Sequence, residues 1–313
     1  MKNIYFLGEC MMELKSTDES TMNQSFAGDV YNSAVYLKRC FPETAVSFVT
    51  AVGGDQISQR LINRCEGENL STDAIFRHPN KTLGLYLIET DETGERSFTY
   101  WRSDSAAREI VDFLDDSVIA RFSANDMLFI SGISLAVIQP SHRDKFWQIM
   151  EKLKALGVTL VFDPNYRARL WQGADEAKEQ IEKALTLCDI ALPGVEDFTE
   201  LYNLHNAEDV IAFCAPFNVP EIIVKNGAAS VVSHCDNETV DHTIIPVTHV
   251  VDTTSAGDAF NGVYLGARLN QQSVADAIGL AAQAAGVVIQ QPGAIAPADV
   301  FQQALSDIGF NVN

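Results

Sequence analysis

One stretch concentrates the chemistry of this chain: Val250-Val251-Asp252-Thr253-Thr254-Ser255-Ala256-Gly257-Asp258-Ala259-Phe260-Asn261-Gly262. The β-branched pair Val250-Val251 reads as a strand end and Asp252 to Ser255 as a turn. Ala259, Phe260, Val263, Tyr264 and Ala267 then recur at helical spacing. Ser255, Ala256, Gly257 and Asp258 therefore fall where a helix leaves its first N–H groups unpaired. With side chains this small, an anion can approach those N–H groups and the positive end of the helix dipole. Asp258 admits two readings. A carboxylate in a first helical turn is commonly a cap. Beside a phosphate-binding turn it can also take a proton from a hydroxyl while the amides stabilise a phosphoryl group in transfer.

Such a turn needs a scaffold, and the chain supplies alternating elements. Strands are expected at Lys2 to Leu7, Val46 to Val52, Met127 to Ser131, Val158 to Asp163, Ile190 to Leu192 and Glu221 to Lys225. Helical patterns occupy Ser58 to Glu68, Ser141 to Leu156, Ala174 to Leu187, Ala207 to Ala215 and Ser273 to Gln290. Short apolar strands alternating with helices predict an α/β fold: a doubly wound, mostly parallel sheet with helices on both faces. Ligands then belong at the C-terminal strand ends, where Gly132, Asp163, Lys225 and Asp252 fall. Leu83 to Arg102 differs, alternating on both sides of a hairpin turn at Asp91-Glu92-Thr93-Gly94. There Phe98, Tyr100 and Arg102 share one face of the returning strand, and Tyr86 and Ile88 share a face of the outgoing one. Paired with Glu9 to Leu14, an exposed strand of mixed polarity, this hairpin forms a small separate sheet. Phe26-Ala27-Gly28-Asp29-Val30-Tyr31-Asn32 is a glycine turn entering a helix, and the residues beyond Leu305 read as a loose tail.

Composition narrows the partners. At 313 residues and 47% hydrophobic composition the chain can bury a large core, and its net charge of −20 disfavours nucleic acid and anionic membranes. An anionic substrate must then be held by local arginines, lysines and amides. Cys10, Cys40, Cys65, Cys188, Cys214 and Cys235 form no metal-like grouping and read as reduced core thiols. With no signal-peptide core or membrane-length apolar run, a cytoplasmic location is expected. Gly53-Gly54-Asp55 lacks the dinucleotide fingerprint, and no Gly-Lys pair exists to make a P-loop.

Asp252 to Phe260 resembles the C-terminal signature of the ribokinase/PfkB family of sugar kinases. The resemblance implies a single ribokinase-like domain over 1–313, with a β lid from roughly 9–14 and 83–102. It makes Asp258 the catalytic base and Ser255, Ala256 and Gly257 the anion hole. Gly28, Asp29 and Asn32 match the family's sugar-binding turn, with Ala27 standing where a first glycine is usual. Tyr100-Trp101-Arg102-Ser103, Gly8 to Leu14, Ser131 to Ala136 and Asp163-Pro164-Asn165-Tyr166-Arg167 narrow the likeness to the 2-keto-3-deoxygluconate kinases, over residues 2–297. By that likeness Tyr86, Tyr100, Arg102, Ile133 and Arg167 hold a sugar acid whose carboxylate suits a guanidinium fork. The nucleotide, ATP, falls to Asn165, Arg167, Lys225, Gly227, Ser230, Ser255 and Gly257.

The family's Asn-x-x-Glu segment, which orders Mg2+, appears here as Gly194-Val195-Glu196-Asp197. Asp197 can reach the ion through water, and Glu196 competes with it. The family's monovalent cation, such as K+, lies beside the residue that Asp252 resembles, and its adenine lies near the Ser273 to Gln290 helix. The expected activity is ATP-dependent phosphorylation of the C6 hydroxyl of 2-keto-3-deoxygluconate by a homo-oligomer. A fructokinase or other neutral-sugar kinase and a non-catalytic sugar-binding sensor remain the alternatives.

Overall fold

The computed structural model describes residues 2–18, 20–90 and 96–310. Among the described residues thirteen strands run in chain order as β1 (Asn3–Leu7), β2 (Met11–Ser16), β3 (Met22–Ala27), β4 (Ala45–Val52), β5 (Ile75–Arg77), β6 (Leu85–Thr90), β7 (Arg96–Trp101), β8 (Met127–Ser131), β9 (Thr159–Asp163), β10 (Ile190–Ala191), β11 (Glu221–Asn226), β12 (Ser230–Cys235) and β13 (Glu238–Thr243). Nine of them form one sheet in the order β13-β12-β11-β10-β9-β8-β1-β4-β5. From β5 to β11 every pairing is parallel, and β12 and β13 add an antiparallel edge.

The apolar runs read as buried strands because both sheet faces are covered. In β1, Tyr5 and Leu7 join one apolar cluster while Ile4 and Phe6 join the other, as side chains of period two must. Helices 143–155 and 174–187 pack on the first face, and helices 29–40, 256–269 and 274–288 on the second. Close approach on the second face depends on Gly262, where a Cβ would lie 2.1 Å from the carbonyl oxygen of Ser33.

The small sheet has the order β3-β2-β6-β7. Two features of it depart from the sequence reading. The first strand is Met11–Ser16 rather than Glu9 to Leu14, and its Met11, Met12 and Glu13 are buried, not exposed. β3, polar and largely exposed, pairs along the whole of β2 and takes in Phe26 and Ala27, which the sequence places in the glycine turn. The hairpin joining β6 to β7 is present, with Tyr86 opposite Tyr100 and Ile88 opposite Phe98. Its turn at Asp91 to Gly94 lies outside the described residues.

Elsewhere, Val250-Val251 is not a strand. The amides of Val251 and Asp252 donate to the carbonyl of Ile289 at a helix end, and both valines are exposed. Asp252 therefore stands at no strand end. Residues 306–310 are not loose either, because the Ala298–Asp307 helix continues past Leu305 and Phe310 packs against the core; the last three residues lie outside the described ones. Among the described residues, no helix is long and apolar enough to cross a membrane.

Candidate active site

The helix Ala256–Leu269 begins at Ser255, whose backbone is left-handed (φ 67°), a costly conformation for a residue other than glycine. The turn aims the Ser255 hydroxyl at the helix's own first turn, where Oγ donates to Asp258 Oδ2 at 2.8 Å. Of the amides expected in the anion hole, that of Ala256 already donates to the carbonyl of Thr253. Those of Gly257 and Asp258 have no acceptor among the described residues.

Across the helix pair, Asn32 Nδ2 also donates to Asp258 Oδ2, at 2.9 Å, while Asn32 Oδ1 accepts from the amide of Gly28 at 3.3 Å. The turn at Gly28 and the turn at Ser255, remote in sequence, are thus one structure. Gly28 is required there, since a Cβ would lie 2.2 Å from the carbonyl oxygen of Glu9. Burial, and next the negative charge of Asp29, push the Asp258 carboxyl up to about 7. Asp29 is itself raised by burial, although Ser131 and Asn165 hydrogen-bond it; Asn165 Nδ2 donates to its Oδ2 at 2.9 Å.

A second carboxylate group lies alongside. Asp163, only 4% exposed at the end of β9, accepts from Lys225 Nζ at 3.0 Å and Asn261 Nδ2 at 2.6 Å. Lys225 also donates to Asn261 Oδ1 at 3.0 Å, closing a ring of three side chains from two strands and a helix. Asp197 accepts from the Tyr166 amide at 3.1 Å and from Arg167 Nη1 at 3.4 Å. Its carboxyl is pushed up to about 6, by burial first and then by Asp163, against the pull of Lys225 and Arg167. The competing Glu196 is exposed and lines a cavity of about 320 Å³ with Val195, Asn226 and Gly227. Gly227 turns the β11–β12 hairpin with φ 56°, and Ser230 opens β12. Asp252 accepts from the amides of Thr254 and Gly293 at 3.0 and 2.9 Å.

The small sheet packs against the main body at Ala294. Tyr86 and Tyr100 stack at 5.6 Å on the face that packs against Ala27 and Ala294, and the Tyr86 hydroxyl donates to Glu13. Arg102 is paired with the buried Glu9, which also accepts from Ser105. Ile133 is half-buried in the short helix Gly132–Val137, packed so tightly that a Cβ on Gly132 would lie 1.9 Å from the carbonyl oxygen of Pro164.

The sequence reading assigned no role to Asp163, Asn261, Arg169, Glu9 or Glu13. Asn261 left a signal: a polar residue three places after Asp258, between the apolar Phe260 and Val263. The pairing of Arg102 with Glu9 left none, because pairing between segments remote in sequence has no period.

Among the described residues, no group of three or more His, Cys, Asp and Glu side chains could hold a metal ion alone. Asp163 and Asp197 nonetheless offer two carboxylates near a lysine, a donor set suited to a hard divalent ion completed by phosphate oxygens and water.

A family model described as pfkB family carbohydrate kinase matches residues 1–300. The chain belongs to that family. Like other pfkB carbohydrate kinases, it is an ATP-dependent sugar kinase. It is 39% identical over 302 residues to a 2-dehydro-3-deoxygluconokinase of Escherichia coli strain K12, covering 95% of this chain and 97% of the relative. A 2-dehydro-3-deoxygluconokinase of Dickeya dadantii is 38% identical over the same share of each chain. Among solved structures, a fructokinase of Vibrio cholerae O395 in a fructose-, ADP- and calcium-bound form superposes with a TM-score of 0.82 at 25% identity, covering 96% of this chain and 98% of that one. The pfkB fold accordingly accounts for both sheets.

Proposed function

We propose that this pfkB kinase phosphorylates the C6 hydroxyl of 2-keto-3-deoxygluconate, the sugar acid also written 2-dehydro-3-deoxygluconate, with Asp258 as general base. The observation that carries the mechanism is the position of Asp258. Its carboxyl is held by Asn32 and Ser255, raised toward neutrality, and adjoins amides of its own helix that lack acceptors. The likeness to 2-dehydro-3-deoxygluconokinases along nearly the whole chain supports the substrate.

In the reaction Asp258 takes the hydroxyl proton as the sugar oxygen forms its bond to the γ-phosphorus. The bond from that phosphorus to the β-phosphate oxygen breaks, and its electron pair leaves with ADP. The amides of Gly257 and Asp258 face the charge that develops on the transferring group. Gly28, Asp29 and Asn32 orient the sugar, Tyr86, Tyr100, Arg102, Ile133 and Arg167 enclose its acid end, and Lys225, Gly227, Ser230 and Asn165 serve the nucleotide. Asp197, through water, and Asp163 would hold magnesium, which neutralises phosphate charge when bound. A monovalent cation beside Asp252 belongs to the same reading. The small sheet acts as a lid that keeps water from the γ-phosphate.

Exposed Met22, Phe98 and Trp101 on the small sheet support a homo-oligomer, and the six free thiols suit a cytoplasmic enzyme. The test is ADP release with Mg·ATP against 2-keto-3-deoxygluconate, its galactonate epimer, fructose, ribose and adenosine. Turnover confined to the keto-deoxy acids is expected. Turnover with fructose or ribose in their place would leave the base and replace the substrate, and no turnover at all would favour a sensor.

A further inference from the structure

Three arginines lie on the segments that follow β7 and β9, and their electrostatic states differ. The Arg102 side chain is only 12% exposed and is neutralised by the buried Glu9. The Arg167 side chain, 49% exposed, has Asp197 at 3.4 Å and spends the same Nη1 on the carbonyl of Tyr166. Arg169 is exposed, and among the described residues no carboxylate pairs with it. It is not a loose surface residue either. Its guanidinium lies 4.1 Å from the centroid of the Tyr100 ring, and Nη2 donates to the Tyr100 hydroxyl. Ring stacking and one hydrogen bond fix the plane of the fork while leaving its other donors free.

Tyr100 in turn stacks on Tyr86, whose hydroxyl is held by Glu13. The guanidinium is therefore positioned by a chain of contacts that starts inside the small sheet, although Arg169 itself belongs to the short 3₁₀ turn Ala168–Leu170 of the main body. In a protein of net charge −20, an oriented cation with no carboxylate partner attracts an incoming anion against the overall field.

We propose that Arg169, held by Tyr100, is the specificity-determining residue that recognises the substrate carboxylate and rejects neutral sugars. Arg102, paired with Glu9, and Arg167, near Asp197, then enclose the acid end while Arg169 offers it an unpaired charge. The proposal rests on the reading of the substrate as a sugar acid. A carboxylate accepts two parallel N–H bonds from the free edge of the fork, whereas a hydroxymethyl group in its place leaves those donors without a charged acceptor.

The experiment compares 2-keto-3-deoxygluconate with 3-deoxyfructose, which has CH2OH where the acid has its carboxylate and is otherwise the same chain. For Arg169→Ala, the KM for the acid is expected to rise by about 10–100-fold while kcat/KM for 3-deoxyfructose changes by less than about threefold. Arg169→Lys keeps the charge but loses the fork, and Tyr100→Phe keeps the ring but loses the hydroxyl. Each should reduce the preference for the acid by an intermediate factor, so the idea remains testable if the alanine variant does not fold. A merely structural role for Arg169 would lower kcat/KM for both sugars together, and that outcome overturns the proposal. So does a selective loss found in Arg102→Ala but in none of the Arg169 and Tyr100 variants. A wild-type enzyme inactive on the keto-deoxy acid would instead remove the substrate reading beneath it.

Discussion

Asn32 Nδ2 donates a 2.9 Å hydrogen bond to Asp258 Oδ2 across 226 residues of sequence. Each residue sits in the first turn of its helix, and the two helices are pressed together where Gly262 meets Ser33. The bond stabilises the charged form of a carboxyl that burial and Asp29 otherwise hold protonated. The balance leaves Asp258 titrating where a base is useful near neutral pH.

Asp258→Asn should therefore lower kcat by about 10²–10⁴-fold while leaving sugar affinity within about threefold. Steady-state kinetics with a binding titration on the same preparation checks this. Near-normal turnover would return Asp258 to the role of helix cap.

The pH dependence has two signs. The base works deprotonated, so kcat/KM should rise with pH up to about 7 and fall tenfold per unit well below it. Stability runs the other way. A carboxyl whose folded pKa exceeds its unfolded value of about 4 holds its proton more tightly when folded, so ionising it weakens the fold as pH rises from 4 through 7. Asp258→Asn should melt higher than wild type at pH 8, with the gain fading toward pH 4. A gain that grows as pH falls would contradict the raised pKa.

Gly262→Ala tests the helix contact. The substitution adds helix propensity of about 1 kcal/mol, but its Cβ would lie 2.1 Å from a backbone oxygen that cannot rotate away. The clash should win, costing about 1–3 kcal/mol net and separating Asn32 from Asp258. A lower Tm with kcat reduced tenfold or more is expected, again about 1.4 kcal/mol or greater at the barrier. A higher Tm with unchanged kcat would show that the helices can part without consequence.

Asp197 and Glu196 can be separated by magnesium titration. Asp197 feels the charges of Asp163 and Lys225, while Glu196 is exposed on the cavity lined by Asn226 and Gly227. Asp197→Asn should raise the magnesium needed for half-maximal rate by about 10–100-fold, and Glu196→Gln by less than about twofold. The reverse pattern would move the ion to the cavity lined by Gly227.

Much of this arrangement was legible because it is periodic or local. The parallel strands β1, β4, β8, β9 and β11 were readable as apolar runs, and the turn at Ser255 as small residues before a helical pattern. What escaped was set by tertiary context. β13 is charged and exposed, so nothing but its pairing with β12 marks it as a strand. Val250-Val251 has strand propensity but no sheet neighbour, and a helix end takes its hydrogen bonds. The pairing of Arg102 with Glu9 joins residues 93 apart by number, and the contact of Arg169 with Tyr100 crosses from one sheet system to the other.

The distribution of thiols has a practical consequence. Cys10, Cys40 and Cys65 are buried in the apolar layer that holds the Asn32–Asp258 contact, whereas Cys188 and Cys214 are buried on the opposite face of the sheet. A thiol with no path to solvent reacts with an alkylating reagent only when its surroundings open. The wild-type chain thus carries its own set of probes. Identifying which cysteines are labelled first, and which are protected by added nucleotide or sugar acid, would map the order in which the two layers come apart.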